Sequence, residues 1–406
     1  MNSWARVKSK STLLLALVAA VALLAACSSS KSSSSAPGVS GKTVTIGGGE
    51  VVTGPFNFLL PFTYGVQAWV KWVNDHGGIN GYTFNYDTAD NAYDPSRSLT
   101  VMKKLVNQDH VFAVVGDVGT IPNNAVMPFI KQTGIPDIAP GFSSDPFVKE
   151  PGIANYFPAN PVYRYATEFL AQFLTKQKSV AKLGLLYENN DVGTVAKAGF
   201  EAYAQHENLS VGPELAVDPT AVDMSSYVSR MKDAGVDGIV WWGASIPQLS
   251  TAEKDAAGSG YHPLWAAGFY NADPSLFKLS NGLANGTTFF DSYMVGPDAS
   301  TPAASDYRAA LAKYFPNAQP GLLSQQGFAA GEIFGEAFKK ATANGQKPTW
   351  KDLEAALNTL SDWTGSLVYS VTYTSSRHIG SLKEVVVAAQ DNKFVPVTQP
   401  AAVPQY

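Results

Sequence analysis

The residue types that most often carry chemistry are sparse in this 406-residue sequence and poorly spaced for it. The five histidines, His76, His110, His206, His262 and His378, form no HExxH or other metal-ligand spacing. No G-x-S-x-G turn presents a serine nucleophile. Carboxylates are scattered along the chain. An enzyme is therefore the weaker class to weigh, with no metal and no cofactor expected. Cys27 is the only cysteine, so no intrachain disulfide and no multi-thiolate metal site can form. What remains is one thiol with unusual neighbours, and whatever the hydroxyls, backbone amides and aromatic rings can bind.

The neighbours of Cys27 suggest its role. Arg6, Lys8 and Lys10 precede an apolar run from Leu13 to Leu24, which is short for a bilayer span. Leu24-Ala25-Ala26-Cys27 resembles the lipobox of bacterial lipoproteins. The resemblance implies that residues 1–26 are a lipoprotein signal peptide, removed once the Cys27 thiol is acylated. The other reading is a secretory signal with an incidental cysteine. Residues 27–42 are rich in serine and read as a flexible tether. A diacyl anchor supplies the two chains that stable attachment requires. The expected location is extracytoplasmic, lipid-anchored to the cell membrane, in a periplasm or on a cell surface. Gly41-Lys42-Thr43 looks like the end of a phosphate-binding loop, but Ala36 stands where that motif needs glycine and no strand precedes it.

Positioning comes from the rest of the chain. It is 45% hydrophobic and 15% charged, enough apolar material for more than one domain. Its net charge is −4, falling to −7 once Arg6, Lys8 and Lys10 are removed with residues 1–26. An acidic chain without basic blocks argues against a nucleic-acid partner. Aromatic residues make up 12%, which suits a pocket that stacks on its ligand, although most such rings serve the core.

Strand and helix signals alternate from Val44 onward. Strands are expected at Val44–Gly49, Tyr82–Asp87, Phe112–Gly116 and Ile135–Ala139. Helices are expected at Tyr64–Asn74, after the Asp94-Pro95 cap, and at Ile121–Thr133, where Gly134 ends the helix. The rhythm restarts after residue 160. Strands follow at Lys182–Tyr187, Val211–Val217, Gly238–Trp242, Leu264–Ala267 and Thr287–Tyr293. The helices between them are Val162–Gln177, Thr194–Asn208, Tyr227–Ala234 and Ile246–Ala257. Helices at Ala303–Tyr314, Leu323–Ala343 and Trp350–Leu360 come next. The tail, Leu367–Tyr373 and Glu384–Val395, alternates as antiparallel strands. Strands that are apolar throughout imply parallel sheets covered on both faces. Two such doubly wound sheets leave a cleft where their carboxyl edges meet.

Several short motifs fall in order along this frame. Thr53-Gly54-Pro55, His76-Gly77-Gly78-Ile79-Asn80-Gly81, Asp90-Asn91-Ala92-Tyr93-Asp94-Pro95, Val115-Gly116, Gly134-Ile135-Pro136 and Ala139-Pro140-Gly141-Phe142-Ser143 resemble the leucine/isoleucine/valine-type (type I periplasmic) binding proteins. The likeness runs from about residue 43 to 395. It implies an α/β fold of two doubly wound Rossmann-like lobes joined by a three-segment hinge. Lobe one would hold 43–160 plus 296–365, and lobe two 161–295 plus 366–406. It further implies a monomeric substrate-binding protein, with no enzymatic activity, that closes on a small molecule and is read by an ABC permease and its ATPase subunits.

Carried over residue by residue, the family's carboxylate-binding serine falls on Thr120, beside Gly119. Its second contact, a backbone N–H with a hydroxyl two residues on, falls on Gly141 and Ser143. Both hydroxyls also suit helix capping, which uses the same geometry. The family's ammonium-binding acid, expected near Gly268, has no counterpart in Gly268-Phe269-Tyr270-Asn271. Its pocket tyrosines fall on Val192, next to Asp191, and on Ser245. Asp191 or Asp273 are possible substitutes for the acid. Together with Phe56, Phe58, Phe142 and Trp242, these replacements suggest a more apolar or aromatic ligand, and weak binding of leucine. Four readings stay open: a branched-chain or related amino acid binder, the same scaffold for an apolar carboxylate or amide, a ligand-presenting sensor component, and an extracytoplasmic enzyme.

Overall fold

A computed structural model describes residues 36–141, 153, 155–160, 162–291, 302–365, 367–368, 370–381 and 383–404. Two sheets organise these residues. The first has the order β3(Thr83–Asp90)-β2(Thr43–Glu50)-β4(Val114–Val115)-β5(Asp137–Ile138)-β6(Tyr156–Phe157), all parallel. A short β1(Val39–Ser40) lies antiparallel against the start of β2. The second sheet has the order β13(Lys393–Pro396)-β12(Lys383–Gln390)-β11(Thr288–Asp291)-β10(Leu264–Ala267)-β9(Gly238–Trp242)-β7(Leu183–Glu188)-β8(Glu214–Val217). Strands β7 to β11 are parallel, and β12 and β13 add an antiparallel edge. A final pair of residues, β14(Ala401–Ala402), bridges the start of β12.

The continuous apolar runs became buried parallel strands, as their composition requires. Every residue of Gly238–Trp242 is buried, as is every residue of Thr288–Asp291. Helix ends follow their capping chemistry. The Asp94 carboxylate accepts the Arg97 N–H at 2.7 Å, with Pro95 in the first turn. Gly134 takes the left-handed conformation, φ 71°, that ends Thr120–Thr133. Asp391 and Asn392, both with positive φ, turn β12 into β13.

Some boundaries differ from the sequence reading. The first helix starts at Leu60, four residues before Tyr64, because Pro61 fits its first turn. The helix beginning at Tyr163 becomes a π-helical turn at Phe173–Gln177. Leu367–Tyr373 is not a strand. Val371 forms an isolated bridge with Trp363, and Leu367, Val368, Ser370, Val371 and Tyr373 are all buried rather than alternating.

Helix Leu60–Asp75 packs against helix Leu322–Ala341 with almost no gap. A Cβ on Gly327 would lie 1.8 Å from the Phe62 carbonyl oxygen, and one on Gly65 2.0 Å from that of Ser324. Only glycine permits that approach. Helix Tyr163–Gln172 packs instead on Asp191–His206, beside the second sheet.

The chain passes between the two layer systems three times. The first passage follows β6. The second is implied by β11, which ends at Asp291 in the second sheet, and helix Pro302–Tyr314, which packs on Leu60–Asp75. The third runs from the end of helix Trp350–Leu357 to β12. The first and third lie side by side: Gly380 N–H donates to Pro158 O at 2.9 Å, Ser381 N–H to Ala159 O at 2.7 Å, and the His378 ring stacks on Phe157.

Candidate functional site

The carboxyl edges of both sheets converge on one cleft. From the first sheet come the loop after β2 (Pro55 to Leu59), Tyr93 after β3, and Thr120 after β4. From the second come Glu188 at the end of β7, Ala244 and Ser245 after β9, and Tyr270 after β10. Open parallel sheets bind ligands at this edge.

The cleft has two chambers. An inner cavity of about 20 Å³ is lined by Leu59, Tyr93, Thr120, Tyr163, Glu188, Val192, Ala244 and Tyr270. An outer cavity of about 350 Å³ is lined by Pro55, Phe56, Asn57, Phe58, Glu188, Pro219, Ser245, Ile246, Pro247, Ser275 and Leu279. Glu188 lines both. Both chambers are mostly apolar, and the inner one gathers three phenols, the Thr120 hydroxyl and Glu188.

Thr120 sits at the first turn of helix Thr120–Thr133 and is almost fully buried. Its hydroxyl is hydrogen-bonded to that of Tyr163, which opens the first helix beside the second sheet. The N–H groups of Thr120 and Ile121, in the first turn of this helix, oppose the rise that burial imposes on the Tyr93 phenol. Gly119 lets the Tyr93 ring lie this close. Gly119 has φ 111°, and a Cβ there would meet the Tyr93 ring at 2.7 Å. Tyr93 itself has φ 62°, and its ring stacks on Phe56 with centroids 4.2 Å apart. Tyr163, Trp242 and Tyr270 pack edge to face at 5.4–6.4 Å, and Trp242 stacks flat on Phe290.

Electrostatically the inner chamber is a ring of hydroxyl donors around one acid. Burial pushes the phenols of Tyr93, Tyr163 and Tyr270 above their ordinary value, so all three stay protonated at neutral pH. The Tyr93 phenol stands at the N-terminus of helix Thr120–Thr133, whose dipole favours negative charge there. Glu188 is 4% exposed. Burial raises its carboxyl above the usual range, opposed by the Ala244 N–H at 3.3 Å and by the Asn190 side chain.

The sequence-predicted residues divide as follows. Thr120, Val192 and Tyr270 line the inner chamber, and Phe56, Phe58 and Ser245 the outer one. Ser245 also caps its helix through the Gln248 N–H. Phe269 packs behind Tyr270 against Phe290 and lines neither chamber. Gly141 is spent on structure: its N–H donates to Asp117 O at 2.7 Å, and its carbonyl accepts Gly119 N–H. Asp191 is exposed in the first turn of its helix, and the Asp273 carboxylate accepts the Ser275 N–H. The acid in the cleft is Glu188. Phe142, Ser143 and Cys27 lie outside the described residues. Sequence reasoning missed Tyr93, Tyr163 and Glu188. Glu188 carried a signal, since it is the acid that ends the first strand of the second sheet.

Comparison with known proteins places this geometry. The periplasmic binding protein family profile matches residues 43–391. A Leu/Ile/Val-binding protein homolog 1 of Brucella suis is 27% identical over 313 residues, covering 74% of this chain and 79% of the relative. Among solved structures, a branched-chain amino acid ABC transporter protein of Thermus thermophilus with bound valine superposes with a TM-score of 0.82. It is 20% identical, and the match covers 90% of this chain and 97% of that one. A fatty acid ABC transporter substrate-binding protein from Thermomonospora curvata gives a TM-score of 0.81 at 23% identity, covering 91% and 94%. The fold is that of the two-lobed type I periplasmic binding proteins.

Proposed function

This chain belongs to the periplasmic binding protein family, and from that premise we propose that it captures an amino-acid-like ligand between its two lobes for an ABC importer. Binding proteins of this family work outside the cytoplasm, deliver small molecules to ABC permeases and are not enzymes. The observation that carries the ligand reading is the buried Glu188, placed among three phenols and Thr120 where the two sheets meet. An isolated buried carboxylate is costly, and a ligand ammonium would offset that cost. The Tyr93, Tyr163 and Tyr270 hydroxyls, with Thr120 at the helix N-terminus, supply donors for the ligand's carboxylate. The ligand's apolar body would then extend past Glu188 into the outer chamber, against Phe56, Phe58 and Ile246. This assignment restores the amine that the missing acid near Gly268 had put in question.

The lobes in this reading are 43–160 plus 296–365 and 161–295 plus 366–406, with the three passages as the hinge. Cys27 carries the lipid anchor, and the protein acts as a monomer. No helix among the described residues is long and apolar enough to cross a membrane.

One observation favours a second ligand class. The outer chamber is large and mostly apolar, and a relative of similar fold is described as a fatty acid binder. A long-chain acid would set its head among the hydroxyls and its tail against Phe56 and Phe58, without using Glu188 as a counter-charge. Calorimetry of the wild type and Glu188→Gln with amino acids and fatty acids separates the two. Loss of amino-acid binding in the variant supports the first reading. Tighter or unchanged fatty acid binding, with no amino acid bound by the wild type, supports the second.

A further inference from the structure

A second cavity lies on the opposite edge of the second sheet, at the amino ends of β10 and β11. Its volume is about 200 Å³. Glu253, from the helix whose N-terminal cap Ser245 faces the interlobe cleft, lines its wall. Trp265 and Tyr261 add aromatic surface, and Thr287 adds a hydroxyl.

Three features make this more than a surface dent. Glu253 is 3% exposed, and its only hydrogen bond shown is to one oxygen, from the Thr287 hydroxyl at 2.6 Å. Its other oxygen is buried with no partner among the described residues. Buried carboxyls are ordinarily paired, so this one has an unmet demand for a donor. Secondly, no lysine or arginine lines the cavity. Thirdly, two of its lining residues, Leu264 and Leu283, 41% and 45% exposed, are among only six large hydrophobics exposed among the described residues. Burial also holds the Glu253 carboxyl up at about 7, a group whose ionisation a bound cation would favour.

We propose that this cavity is a second small-molecule site, separate from the interlobe cleft, that takes a compact organic ammonium ion. The ammonium donates to the unpartnered Glu253 oxygen, and the apolar body lies against Trp265 and the two rim leucines. A carboxylate of the same size finds no lysine or arginine in the lining to pair with.

The test uses the soluble protein labelled with ¹⁵N at its indoles, titrated with n-butylammonium chloride and, separately, sodium butyrate. The Trp265 resonance is assigned with a Trp265→Phe variant. The expected result is a saturable shift of Trp265 with butylammonium and none with butyrate. Glu253→Gln should weaken the response at least fivefold. Leu283→Lys, which sets a cation on the exposed rim, should weaken it as well, while Glu188→Gln should leave it unchanged. No shift of Trp265, an equal response in Glu253→Gln, or equal binding of butyrate would overturn the proposal.

Discussion

Replacing Glu188 by glutamine should weaken binding of an amino-acid ligand while relieving strain in the empty protein. The side chain is buried where the two sheets meet, and its shape is preserved in the variant. A hydrogen bond from a ligand ammonium to a buried carboxylate contributes about 1.5–3 kcal/mol, which is about 10- to 150-fold in Kd. The pH dependence has a fixed sign. In the ligand-free protein burial raises the Glu188 pKa above its ordinary 4.5. The native state therefore holds this proton more tightly than the unfolded chain. Its contribution to stability is present at low pH and is lost as pH rises past 4.5 through the raised value. Glutamine removes that dependence, so the thermal advantage of the variant over wild type should grow with pH. Ligand binding runs the other way. An ammonium favours the ionised carboxylate, so affinity should rise with pH and binding should release protons. The assay is calorimetry with the tightest amino acid from a thermal-shift screen, in two buffers of different ionisation enthalpy. A Kd unchanged within twofold, or proton uptake on binding, would refute the counter-charge role.

Thr120→Ala removes a hydroxyl from the helix N-terminus and unpairs Tyr163, and should weaken a carboxylate ligand by about 1–3 kcal/mol; titration of the variant with the same ligand checks this. Ser143→Ala should act similarly if the resemblance carries to that position, and unchanged affinity in both variants would remove the anion site. Gly327→Ala places a methyl against the Phe62 carbonyl and should cost about 3 kcal/mol or more by urea unfolding, with no effect specific to ligand. Cys27→Ala should move the protein from the detergent phase to the aqueous phase in a phase-separation assay of whole cells, whereas an unchanged distribution would discard the lipid anchor.

Much of the scaffold was legible because its signals are local. Uninterrupted apolar runs such as Gly238–Trp242 announce strands buried on both faces, and Asp94-Pro95 and Gly134 mark helix ends by their own stereochemistry. Thr120 came from the family resemblance, which put a hydroxyl where the helix Thr120–Thr133 begins. The rest of the inner chamber depends on groups that meet only in three dimensions. Tyr93 contributes because a left-handed backbone turns its ring onto Phe56 and toward amides of a later helix. Tyr163 reaches Thr120 across the boundary between the two layer systems. The search for an acid went to Gly268, after β10, because the family pattern pointed there, whereas the acid that lines the cleft is Glu188, at the end of β7 on the far side of β9. Gly141 was assigned a free N–H that the Asp117 carbonyl, in the loop after β4, takes up.

The most direct test is a crystal structure of the soluble protein with the amino acid identified by screening. The ligand should lie between the two sheets, its ammonium within hydrogen-bond distance of Glu188 and its carboxylate beside Thr120 and the Tyr93 and Tyr163 hydroxyls. An amino acid bound with its ammonium remote from Glu188, or bound anywhere other than this cleft, would contradict the account.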